Sequence, residues 1–138
     1  MAKKKVFVSY DHSEDLKYKN LLAAWDANSN FEFSFDQRSP NEPIDSQVAD
    51  RVKAALTVMM KSADYLLVIV GSKSHTSKWM TWEIDRAKKD DVKLNLAGVK
   101  IAGGYVTPPG LLGVGTAWAY SFEQDSILEA LESATNSY

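Results

Sequence analysis

The hydrophobic pattern of the chain changes period repeatedly, and each change marks an element. Val6 to Tyr10 is a short β-branched and aromatic run, apolar almost throughout, as expected of a central strand covered on both faces. Asp11-His12-Ser13-Glu14 then offers a helix start in which Asp11 caps and Glu14 reaches back, with Leu16, Leu21, Leu22 and Trp25 at helical spacing to about Asn28. Asn28-Ser29-Asn30 reads as a turn. Phe31 to Phe35 alternates aromatic and polar residues, the signature of a strand with one covered face. The polar, proline-bearing stretch Asp36 to Pro43 is an exposed loop leaving that strand, a position that often carries function.

Asp45 is placed to cap a second helix, with Val48, Val52, Ala55, Leu56 and Met59 at helical spacing and an end near Ser62. Tyr65 to Val70, bounded by Asp64 and Gly71, is the most hydrophobic run and predicts a fully buried parallel strand. After a small polar loop, Ser77 is expected to cap a third helix running to about Lys89. On it Met80, Ile84 and Ala87 form an apolar stripe, and Trp79 and Glu83 stand four apart at the stripe's edge, where buried surface meets solvent. Val92 to Ile101 predicts a fourth strand, weakened by Asn95 and Gly98. Glycines and prolines up to Gly115 leave no room for a further full helix. Thr116 to Phe122 reads as a short fifth strand and Glu123 to Ala134 as a final helix carrying Ile127, Leu128 and Leu131.

Strands alternating with helices imply an α/β fold with a parallel sheet and right-handed crossovers. Five strands with a one-sided second strand favour a flavodoxin-like doubly wound sheet of order 2-1-3-4-5, with ligands expected at the carboxyl ends of strands one and three. Ser9 to Ser13, Asp36 to Ile44 and Gly71 to Trp82 converge there. With 138 residues and no repeat or linker, 1–138 is expected to be one domain.

Composition narrows the chemistry. Lys and Arg total 16 against 18 Asp and Glu, net −2, and the only basic run is Lys3-Lys4-Lys5, so no nucleic-acid partner is expected. The chain has no Cys, which removes thiolate sites and disulfides and fits a reducing cytoplasm. Two histidines, His12 and His75, make a metal site improbable. No run has the length of a membrane span, so a soluble cytoplasmic protein without a membrane partner is expected.

Neither phosphate-binding glycine motif occurs, and strand three ends in Val70-Gly71 without a phosphoacceptor Asp. No G-x-S-x-G elbow supports Ser9, Ser72 or Ser74 as a hydrolytic nucleophile. A lone carboxylate remains, Glu83, flanked by Trp79, Trp82 and Tyr10. One carboxylate is short of a glycosidase pair, which must also protonate its leaving alcohol. It suffices for a pyridinium N-glycoside, because nicotinamide leaves NAD neutral. That reasoning permits the reaction without selecting it.

Val6-Phe7-Val8-Ser9-Tyr10 with its acidic helix start, the loop after strand two, the Leu-Val-Ile-Val-Gly strand and Ser77-Lys78-Trp79-Met80-Thr81-Trp82-Glu83-Ile84 together resemble a Toll/interleukin-1 receptor (TIR) domain. The resemblance is closest to the bacterial TIR-like branch of Thoeris anti-phage systems. It implies that Glu83 is the catalytic glutamate, that NAD is a substrate with no separate cofactor, and that the product is ADP-ribose or a derivative, including cyclic forms, signalling to a separate effector. It also implies that Phe7, Ser9, Asp36, Ser74 and Trp79 line the pocket, and that Asp36 to Ile44, matching the BB loop, reaches another TIR protomer in an oligomer. Gly98 to Gly115 departs from the family, many of whose members carry a helix there. The alternative from a different class is a non-catalytic TIR scaffold. A third reading, a nucleoside deoxyribosyltransferase-like enzyme, shares the carboxylate logic.

Overall fold

The computed structural model describes residues 3–12, 14–28, 31–37 and 43–138. Five strands, β1 (Lys4–Ser9), β2 (Phe33–Gln37), β3 (Tyr65–Val70), β4 (Asn95–Lys100) and β5 (Ala117–Ala119), form one sheet of order β2-β1-β3-β4-β5. Every pairing is parallel. The fold is therefore the flavodoxin-like α/β architecture expected from the alternation of periods.

The four helices are α1 (Leu16–Asp26), α2 (Ala49–Lys61), α3 (Lys78–Ala87) and α4 (Gln124–Ser133). They cover both faces. On one face α1 and α4 bring Leu22, Ile127, Ala130 and Leu131 onto Val6, Val8, Leu67, Ile69 and Val99. On the other, α2 and α3 bring Val52, Leu56, Met60, Met80, Ile84 and Ala87 onto Phe7, Leu66, Val68, Val70 and Leu96. The side chains of Val6, Phe7 and Val8 in β1 and of β3 divide between these cores at the two-residue period of a strand, which is why those stretches are apolar without a break. Burying one Phe or Leu in this way contributes about 2 kcal/mol. Phe31, Phe33 and Phe35 are all buried, so β2 has the one-sided apolar character its alternation predicts.

Several boundaries differ from expectation. The turn after β1 is closed by Asp15 N–H donating to Asp11 C=O at 2.8 Å, and α1 begins only at Leu16 with Asp15 in the capping position. Asp11 and Glu14 therefore do not form the start of the helix. Leu16 and Leu21 are exposed, leaving Leu22 as the fully buried residue of α1. Likewise α2 starts at Ala49, after turns that follow Asp45, with Val48 exposed and Met60 rather than Met59 buried. The strand β2 is shifted to Phe33–Gln37, so Phe31 packs from the connection before it.

The helix α3 stops at Ala87, short of Lys89. Val92 belongs to the turn after it, where Lys93 takes φ 48° and its N–H bonds Lys89 C=O at 2.8 Å, so β4 begins only at Asn95. The short β5 spans Ala117–Ala119 rather than Thr116 to Phe122. Between β4 and β5 only a single 3-10 turn, Pro109–Leu111, occurs, as the glycines and prolines predict. Gly98 is required within β4, because a Cβ there would lie 2.5 Å from the Trp118 ring. Ser29 and Asn30 of the expected turn, Ser13, and most of the Asp36 to Ile44 loop lie outside the described residues. No described helix is long and apolar enough to cross a membrane.

Candidate active site

Parallel topology puts the connections leaving β1, β2 and β3 at one edge of the sheet. The Ser9 side chain, at the end of β1, falls on the α2/α3 face together with Phe7. The connection after β3 tightens into a 3-10 turn, Ser74–Thr76, and α3 follows with Ser77 as its N-cap, accepting from Met80 N–H at 3.2 Å. That cap sets the helix phase. Met80, Glu83, Ile84 and Ala87 are consequently the buried residues of α3.

Glu83 is thus inside the apolar stripe and 2% exposed, not at its solvent edge. Its Oε1 accepts a hydrogen bond from Ser9 Oγ at 2.7 Å, while Oε2 is buried with no hydrogen-bond partner. Burial pushes the carboxyl up to about 8, against the smaller lowering by the Ser9 hydroxyl. An isolated charge at this depth would cost several kcal/mol, so the resting site holds Glu83 protonated at neutral pH. Its carboxyl lies beside the end of β1, at the switch point of the sheet where ligands of such folds bind.

The other predicted residues divide. Ser9 meets Glu83 directly. Phe7 is fully buried among Val52, Leu56 and Met80, as part of the core beneath the site. Tyr10 lies in the core of the opposite, α1/α4 face and does not flank Glu83. Asp36 is opposite Phe7 in the β1–β2 register and half-buried at the β2 edge. Ser74 Oγ accepts from Gly71 N–H at 2.8 Å and donates to Ile69 C=O at 3.0 Å, so its hydroxyl holds the turn after β3. Trp79 and Trp82 are half-buried, edge to face with centroids 5.9 Å apart, and Lys53 Nζ stands 5.9 Å from the Trp82 ring centroid. They form an aromatic surface on α3 beside the buried stripe.

A second buried carboxylate escaped the sequence reading. Asp15, at the capping position of α1, makes no side-chain cap bond; its carboxylate instead lies against Gly71, where a Cβ would come within 2.2 Å of Oδ2. Burial, then Asp11 and Glu14, push it up to about 6, against a smaller lowering by Lys17. The signal available in the sequence was Gly71 itself, a glycine directly after a buried strand, where another group can approach the backbone closely. Among the described residues no group of three or more His, Asp or Glu could hold a metal ion.

Comparison with known proteins adds a family. A family model described as Thoeris protein ThsB, TIR-like domain, matches residues 7–104, from β1 through β4 and including Ser9, Asp15, Gly71 and Glu83. No curated protein matches the chain. With the matched span covering most of the chain and the sheet in the TIR-like order, this protein belongs to the family of the TIR-like domain of Thoeris protein ThsB.

Proposed function

We propose that this domain acts in anti-phage defence by cleaving NAD at the nicotinamide N-glycosidic bond, with Glu83 as the catalytic carboxylate. The observation that carries the reading is the Glu83–Ser9 pair: a buried carboxyl held through one oxygen by the end of β1, its other oxygen uncommitted. As nicotinamide departs, positive charge develops at C1′ of the ribose, and a fixed carboxylate there stabilises it without any proton being delivered. The incoming pyridinium also favours ionisation of Glu83, so the charged form arises when substrate is present. Trp79 and Trp82 offer faces on which flat rings stack. Water adding to C1′ and giving up a proton to solvent yields ADP-ribose, while an adenine nitrogen of the same molecule adding to C1′ with loss of a proton yields a cyclised derivative; the product acts on a separate effector, and the loop from Asp36 to Ile44 joins protomers when the site becomes competent.

A specific observation favours a second reading. With Glu83 only 2% exposed, the resting domain does not present this carboxylate to a ligand, as a TIR scaffold that does no chemistry need not. Incubating concentrated wild-type protein and Glu83→Gln with NAD, and following nicotinamide and product masses by liquid chromatography with mass spectrometry, separates the two. Release by the wild type alone is expected. Silence from both under crowding that forces assembly would leave the scaffold.

A further inference from the structure

Among the described residues, five buried side-chain polar atoms have no hydrogen-bond partner: His12 Nδ1, Asp15 Oδ2, Ser46 Oγ, His75 Nδ1 and Glu83 Oε2. All five belong to the crossovers that leave β1, β2 and β3. His12 and Asp15 follow β1, Ser46 follows β2, His75 follows β3, and Glu83 is on the helix after β3. None lies beyond α3. Buried polar groups are normally paired, and an unpaired one carries a desolvation penalty. These crossovers leave the carboxyl ends of the strands, where ligands of a doubly wound sheet bind.

Asp15 is the most informative member. It is 4% exposed, and an Asp in the capping position ordinarily satisfies itself on the first amides of its helix. Here its side chain makes no cap bond and is turned onto the end of β3, into space that exists only because residue 71 has no side chain. We propose that Asp15 is a second substrate-binding carboxylate of this site, accepting hydrogen bonds from the hydroxyls of a ribose. This rests on the NAD reading above. A carboxylate repels the diphosphate of a dinucleotide, so the sugars are the neutral donors it can face. A vicinal diol supplies two donors to one carboxylate. Asp15 and Glu83 are both buried carboxyls with one oxygen unpartnered.

The test is isothermal titration of wild type and Asp15→Asn with ADP-ribose and with two analogues, each lacking the 2′-hydroxyl of one ribose. Wild type is expected to bind ADP-ribose about tenfold tighter than Asp15→Asn does, and to discriminate against one analogue by a similar factor. Asp15→Asn should lose that discrimination, which a general loosening of the fold would not remove. Gly71→Ala, which displaces the carboxylate, should reproduce the Asp15→Asn pattern. Equal discrimination by wild type and Asp15→Asn, or no binding of ADP-ribose by the wild type, overturns the assignment. Nicotinamide release measured in parallel keeps the two claims apart. Cleavage with Asp15-independent binding removes only this inference, and Asp15-dependent binding without cleavage removes only the catalytic reading.

Discussion

Glu83 is stabilised in its protonated form, and the sign of the consequence follows from linkage. Its folded value of about 8 lies above its ordinary 4.5, so between those values the folded protein retains a proton that the unfolded chain releases. The stability this group contributes is therefore full below pH 4.5 and is lost as pH rises through 8. Glu83→Gln preserves the shape and an acceptor for Ser9 but cannot ionise. Its melting temperature should exceed that of wild type by a margin that widens from pH 5 to pH 8.5, measured by calorimetry; a margin independent of pH would contradict the buried-acid description. The same residue gives a kinetic prediction. In the proposed NAD cleavage the anion is the working form, so kcat/KM for NAD should rise with pH and level off above about 8, whereas a fully solvated glutamate would already be ionised at pH 6.

At the scale of elements, α3 delivers Glu83, and its phase depends on the Ser77 cap. Ser77→Ala should cost about 1 kcal/mol and lower the melting temperature by roughly 3 °C. Because a rotated or frayed first turn misplaces Glu83 relative to Ser9, nicotinamide release should fall by more than the lost folded fraction accounts for. Ser77 and the Tyr65–Val70 strand were legible in the sequence because both are local: a capping side chain three residues from its amide, and an unbroken apolar run between turn residues. The starts of α1 and α2 were not. An Asp upstream of an apolar run advertises a cap without saying how many turn residues intervene, and here the connections after Asp11 and Asp45 continue before the helices begin. The depth of Glu83 was hidden for a related reason: a position beside an apolar stripe is rim or core according to how the helix rolls on the sheet. Asp15 needed still more, since its meaning lies in Gly71, on another crossover.

Across the whole molecule, the parts beyond the family-matched span are packed into it. Ile127, Ala130 and Leu131 of α4 complete the core on the β1, β3 and β4 side chains, and β5 covers the outer edge of β4. Truncation after residue 104 should therefore leave that face and edge bare. The fragment should aggregate or lose its cooperative melting transition by circular dichroism, and a fragment that melts like the full chain would show that the family-matched part folds alone. The sheet order was readable because period changes count elements and chirality restricts how they connect. The contacts that make the site were not, since each joins crossovers through the folded sheet. The Ser9–Glu83 bond spans 74 positions and closes only in the native state. Its proton is also a clock. Held between two fully buried side chains, the Ser9 hydroxyl can exchange with water only when the end of β1 and α3 part, so its exchange rate times how often the resting domain opens before any nucleotide arrives.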